Sequence, residues 1–148
     1  MAEQQLQQVA RWERDKEDKL AFTFQMAQQQ VNLNKQKLSS LEQYKLDYLH
    51  QTQRVSNMPL QVDKFNQLHS FIGKLDKACQ QQLQVLNQSV LVAEQRKTQW
   101  LIQQRKRKAV EMLLDKKKAE REIRANRLEQ QLMDELSTQR YARKKLGY

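Results

Sequence analysis

Between residues 20 and 48, apolar positions recur at alternating steps of four and three. Leu20, Phe24, Ala27, Val31, Asn34, Leu38, Leu41, Lys45 and Tyr48 form one stripe. This is a seven-residue period, which keeps one helical face against a partner helix. Asn34 is a polar member of that stripe, and a buried Asn in such a seam fixes register at some cost in stability. Before Leu20 the stripe weakens. Leu6, Val9 and Trp12 lie close to one face, but Glu13, Lys16 and Glu17 interrupt it. The pattern predicts an N-terminal portion that is looser or that awaits a partner.

A second stripe runs Phe65, Leu68, Ile72, Leu75, Cys79, Leu83, Leu86, Val90, Ala93, Lys97 and Trp100. The steps from Leu75 to Cys79 to Leu83 are four and four, which reads as an inserted stutter that locally unwinds a left-handed supercoil. Gly73 lies just before it and costs about 1 kcal/mol against Ala in a helix interior. The two together predict a soft spot in the second helix.

Only one stretch away from the termini reads as a turn: Arg54-Val55-Ser56-Asn57-Met58-Pro59, which holds the single proline. Two glycines and 26 glutamines, with Lys, Arg, Leu, Glu and Ala around them, leave almost nothing else to break a helix. The prediction is an all-α chain, an elongated antiparallel two-helix coiled-coil hairpin whose second helix is the longer. The expected layout is a single unit over 1–148, with a first helix over about 3–54, a hairpin loop over about 55–61 and a second helix over about 62–145. At 1.5 Å per residue the first helix spans roughly 78 Å. Folding back from the loop puts Leu41 near residue 73 and Leu6 near residue 108, so helix two should lack an internal partner from about residue 111. That overhang keeps Leu113, Leu114, Ile123, Leu128, Leu132, Met133 and Leu136, which mark either a binding surface or a frayed tail.

Charge adds an asymmetry. The net charge is +10, yet residues 1–95 carry 11 basic and 10 acidic side chains while residues 96–148 carry 16 and 7. The last third is a different surface from the rest: a solvated face that keeps the protein in solution, or a docking site for an acidic partner. No apolar run approaches the roughly 20 residues that span a bilayer. The first residues show neither a basic region nor an apolar run of the kind a secretory leader needs, so none is expected. The single cysteine, Cys79, rules out an internal disulfide and suits a reducing cytoplasm.

Candidate chemistry is sparse. His50, His69 and Cys79 do not stand at the short spacings that hold zinc, so no metal or cofactor is expected. No phosphate-cradling or dinucleotide motif occurs, and a two-helix seam offers no oxyanion pocket, so the chain reads as no enzyme and as having no small-molecule substrate. The runs Arg105-Lys106-Arg107-Lys108 and Lys116-Lys117-Lys118 raise nucleic-acid binding. Glu111, Asp115, Glu120, Glu122 and Glu129 interleave with the bases and would repel phosphates, and stacking aromatics are absent from residues 101–140. A basic-helix nucleic-acid binder therefore stands behind two other readings: a component of a larger protein machine, and an autonomous structural coiled-coil scaffold.

Three local patterns choose between those two. They are Leu41-Glu42-Gln43-Tyr44-Lys45-Leu46-Asp47-Tyr48, Phe71-Ile72-Gly73-Lys74-Leu75-Asp76-Lys77-Ala78, and Met133-Asp134-Glu135-Leu136-Ser137-Thr138-Gln139-Arg140. In this order the chain resembles the FliJ family of the bacterial flagellar type III export apparatus, over nearly its whole length. The resemblance implies a stalk-like coiled coil that binds the hexameric export ATPase and its regulatory subunit, couples them to the cytoplasmic domain of the export-gate membrane protein and escorts export chaperones. It implies a cytoplasmic protein, peripherally associated with the inner-membrane apparatus, that serves flagellum biogenesis and motility. Leu41, Tyr44, Tyr48, Phe71, Leu75 and Ala78 match the positions associated with the gate. The sequence departs at Gln82, where some members carry His. For the ATPase, the basic end offers Arg121, Arg124 and Arg127 to acidic loops of the ring, and Leu128, Leu132 and Leu136 to its wall.

Overall fold

The computed structural model describes residues 2–57 and 62–147. It holds two helices, α1 (Ala2–Ser56, 55 residues) and α2 (Val62–Lys145, 84 residues). The described residues contain no strand. The chain is an all-α antiparallel coiled-coil hairpin, as the two apolar stripes predict. The expected loop over about 55–61 begins within α1, since Val55 and Ser56 are helical. Its remainder from Met58 to Gln61, Pro59 included, lies outside the described residues. At the far end of α2, Gly147 takes a φ of 80° and its amide hydrogen-bonds back to the Lys144 carbonyl, a left-handed helix stop that glycine allows.

The paired helices form two contact units. One comprises residues 18–102 and the other residues 1–17 with 103–148. In the first, the stripe from Leu20 to Tyr48 is buried or half-buried at every member, and it continues through Thr52 to Val55. Asn34 is only 3% exposed. A buried amide needs a polar partner, and the Gln82 side chain supplies it, donating to the Asn34 carbonyl at 3.1 Å and to Asn34 Oδ1 at 3.4 Å. Phe24 stacks on Trp100 at a centroid distance of 5.7 Å, and Tyr48 meets Phe71 edge-on at 4.7 Å. These pairs, early with late and late with early, give the antiparallel sense.

The α2 seam in this unit differs from the expected one. Leu83 is 47% exposed, and Gln82 occupies the seam instead. Phe65, Ile72, Cys79, Leu86, Ala93 and Trp100 are all sheltered, in unbroken seven-residue steps. The expected stutter is therefore absent: polar pairing with Asn34 outweighed the hydrophobicity of Leu83. Lys97, another expected seam residue, is exposed. Gly73 lies on the outer face of α2 with nothing within 4 Å of where a Cβ would stand, so packing does not require it.

The second unit replaces apolar packing by polar pairing. Glu17 is 8% exposed and Gln103 is 6% exposed. Gln103 donates to the Glu13 carbonyl at 3.0 Å and to the Glu13 carboxylate. Arg107 is bound by Glu17 and, at 2.8 Å, by Glu111, while Arg14 reaches Glu111 at 3.0 Å. These two carboxylates, Glu17 first, raise the Arg107 pKa further and hold its charge. Ala10 and Leu114 are the buried apolar members. Glu13 and Glu17, which interrupt the stripe in sequence, are thus seam members within this unit. Leu6, Ala10, Glu13 and Glu17 lead into Leu20 at steps of four, three, four and three. Of the expected irregularity, Trp12 is exposed and Lys16 half-buried, and Lys16 Nζ lies 3.4 Å from the Trp12 ring centre.

Pairing in this unit also extends further along α2 than the fold-back estimate placed it. Arg121 Nη1 lies 2.9 Å from a Glu3 carboxylate oxygen, so residue 111 does not begin the overhang. Side chains tilt toward the N-terminus of their own helix. In an antiparallel pair an arginine and a glutamate therefore lean toward each other across more than a turn. From Glu122 to Gly147 every residue is exposed.

Candidate interaction surfaces

Six sequence-selected residues lie in the unit formed by residues 18–102 and fall into two kinds. Leu75 is buried and Leu41, Tyr48 and Ala78 are half-buried, so these four belong to the packing of the pair. Tyr44 and Phe71 are 57% and 41% exposed. The Phe71 ring rests its edge geometry on Tyr48, which orients an exposed aromatic on a packed one. Beside them Lys45 Nζ donates to an Asp76 carboxylate oxygen at 2.6 Å. That hydrogen bond, with the charge of Asp76, raises the Lys45 pKa above its ordinary value. The seam lysine is thereby kept charged without facing the apolar layer alone.

The second group lies in the other unit. Arg121 is engaged with Glu3. It shares a shallow depression of about 240 Å³ with Arg124, Lys117 and Glu120. Arg127, Leu128, Leu132 and Leu136 are exposed, and the three leucines stand 60%, 53% and 51% open. Leu128, Leu132 and Leu136 follow one another at steps of four, so they share one face of α2. The charge is distributed differently from the expectation of a basic free tail. Residues 122–147 hold six basic and four acidic side chains, whereas residues 96–121 hold ten and three. Most of the positive charge therefore precedes the fully exposed stretch, and Arg107 and Arg121 within it are already paired.

Among the described residues no group of three or more His, Cys, Asp or Glu side chains stands close enough to hold a metal ion. Cys79 is a half-buried free thiol within the seam. Among the described residues no helix is long and apolar enough to cross a membrane. Open depressions along the helix pair include one lined by Gln7, Ala10, Arg11, Arg14, Glu111 and Leu114.

A family model described as "Flagellar FliJ protein" matches residues 1–146 of the 148. The chain belongs to this family. No curated protein and no solved structure matches it. Membership makes the chain a component of the flagellar export apparatus and links it to flagellum biogenesis and protein export. It is also the finding that puts the apparatus ahead of an unattached structural coiled coil. The polar seam of Glu13 with Gln103 and Glu17 with Arg107 does not stand out as apolar residues do. The signal was present as the same seven-residue period carried back from Leu20.

Proposed function

We propose that this protein is a stalk-like coupling component of the flagellar export apparatus, acting in the cytoplasm at the inner membrane. It binds the export ATPase hexamer and its regulatory subunit, connects them to the cytoplasmic domain of the export gate and escorts export chaperones. The observation that carries this reading is the family match over residues 1–146, on a chain whose described residues form two long helices with open depressions along them. Its work is contact rather than chemistry.

On this reading Tyr44 and Phe71 are the anchors toward the gate. Phe71 is braced by the packed Tyr48 and loses little side-chain freedom on binding, and Tyr44 stands exposed on α1. Leu41, Tyr48, Leu75 and Ala78 hold their shape from within the seam. The ATPase contact uses Arg124 and Arg127 for orientation against acidic loops and Leu128, Leu132 and Leu136 for sliding apolar contact. Arg121 joins them only by giving up Glu3. The test is stimulation of ATP hydrolysis by the purified ATPase. Arg124→Glu with Arg127→Glu should weaken both association and stimulation, and both should fall as salt rises, because exposed charges are screened over about 10 Å. Stimulation that ignores both the reversals and the salt overturns the ATPase contact. For the gate, Tyr44→Ala with Phe71→Ala should reduce binding to the purified gate domain while helicity is unchanged. Undiminished binding removes that assignment.

A further inference from the structure

The unbroken seven-residue register in the unit of residues 18–102 sorts every position on the two helices, and it exposes a contrast between the two flanks of the seam. With Ile72 and Cys79 labelled a and Leu75 and Gln82 labelled d, the flank beside the a positions carries charge of both signs, including Lys35, Glu42, Asp76 and Lys97. The flank beside the d positions is different. On α2 its g positions are Phe71, Ala78, Val85 and Val92, an apolar row at seven-residue steps, with Val85 and Val92 each 45% exposed. On α1 the facing g positions are Thr23, Gln30, Lys37 and Tyr44, bordered by exposed Met26 and Leu33. On the α1 side of this flank is a depression of about 490 Å³ lined by Leu33, Gln36, Lys37, Ser40 and Leu41, with Gln82 from α2.

Over residues 19–44 of α1 and 71–102 of α2, the g positions and the c positions outside them hold no carboxylate. They hold Lys19, Lys37 and Lys74. Every acid of these segments lies on other faces. The other border positions are Gln, Ser, Thr or apolar, and Asp47 stands just beyond the stretch. A row whose only charges over these segments are lysines fits one kind of occupant, an amphipathic helix with an apolar stripe flanked by Asp and Glu. A helix laid there would meet apolar side chains along the row and lysines at its borders, which is the pattern of helix-in-groove recognition. We propose that this flank is a docking groove for a third helix, an acidic amphipathic helix of a partner protein, which completes a three-helix coiled coil. The proposal extends past the gate anchors Tyr44 and Phe71 and stands on Lys37, Val85 and Val92, which that assignment does not use.

The probe is a synthetic helical peptide of about 28 residues, four heptads, with leucine at its core positions and glutamate flanking them. A matched peptide carries lysine in place of each glutamate. Binding to the full-length chain is followed by fluorescence anisotropy. The acid-flanked peptide should bind, its affinity should fall with salt, and the lysine-flanked peptide should bind at least about tenfold more weakly. Val85→Glu with Val92→Glu should weaken binding of the acid-flanked peptide about tenfold or more, whereas Leu83→Glu on the opposite flank should leave it unchanged. If the valine variant loses helicity, Lys37→Glu with Lys74→Glu, both at solvent-exposed positions, carries the same test. Equal binding of the two peptides, an equal loss in Leu83→Glu, or no binding overturns the proposal. A concentration-dependent doubling of mass in sedimentation, abolished by the valine variant, assigns the groove to a second copy of this chain and overturns it as well. So does displacement of the peptide by duplex DNA. Tyr44 and Phe71 also border this groove, so the two assignments are separated by Val85→Glu with Val92→Glu, which should weaken peptide binding and leave binding to the purified gate domain unchanged.

Discussion

Gly73 and Lys45 show how single residues in the seam region trade stability for something else. Gly73 sits in the interior of α2 with open space around it, so a methyl group meets no atom. Gly73→Ala should raise unfolding free energy by about 0.5–1 kcal/mol, through helix propensity and a less flexible unfolded chain. Urea melts followed by circular dichroism measure it, and an unchanged or lower midpoint would refute the reading. Lys45 is a charged residue in a seam position, and Asp76 makes that tolerable. Its pKa is raised in the folded state. The charged form is thus favoured by folding, and the contribution is complete below the unfolded value near 10.4. It is lost as pH rises through the higher folded value. Stability should therefore decline above about pH 10. Asp76→Asn should remove that part of the decline, as melts across the alkaline range would show. An identical alkaline slope in the variant would mean that the pair contributes nothing.

The two helices, as elements, were legible where hydrophobicity alone sets the seam. The Leu20 to Tyr48 stripe was visible because most of its members are apolar and recur at a clean period. Leu83 was misleading for the converse reason. A leucine next to a glutamine looks like the inward residue until Asn34, 48 positions before Gln82, is seen to need its amide. The same limit hid the N-terminal seam. A glutamate reads as solvent-facing unless its arginine is known, and Glu17 and Arg107 are 90 residues apart. Leu38→Ala and Leu86→Ala, both half-buried in the seam, should each cost about 1–3 kcal/mol, less than in a deep core because a two-helix seam buries less area. Leu83→Ala should stay within about 0.5 kcal/mol. Equal losses at Leu83 and Leu86 would restore the stutter. In the polar seam, Glu17→Ala should lower the melting midpoint by leaving Arg107 half-compensated. Glu17→Leu combined with Arg107→Leu should match or exceed the parent, since apolar packing replaces a desolvated pair without an unpaired charge. A double variant as unstable as the single one would show that the pair itself stabilises this unit.

For the whole molecule, the exposed end of α2 separates folding from function. A long helix without tertiary partners is held only by propensity and local pairs, and residues 122–147 show exposure throughout. Their composition, rich in Arg, Glu, Gln and Leu, suits that state. The ion pair of Arg121 with Glu3 is the outermost ion pair between the helices among the described residues, and its arginine lies open to solvent while Glu3 is half-buried, so the pair contributes about 1 kcal/mol. Truncation after residue 121 should therefore leave the denaturation midpoint of the remaining helix pair within about 0.5 kcal/mol of the parent. It should lower total helical signal in proportion to the residues removed. The same truncation should abolish stimulation of the export ATPase, because the three leucines and Arg124 and Arg127 go with it. A midpoint that drops well beyond that margin would mean that the end of α2 packs against the rest of the chain. Its apolar face would then serve the fold and not the ATPase. An unchanged midpoint with full ATPase stimulation would move the contact to residues 96–121, where ten of the basic side chains stand.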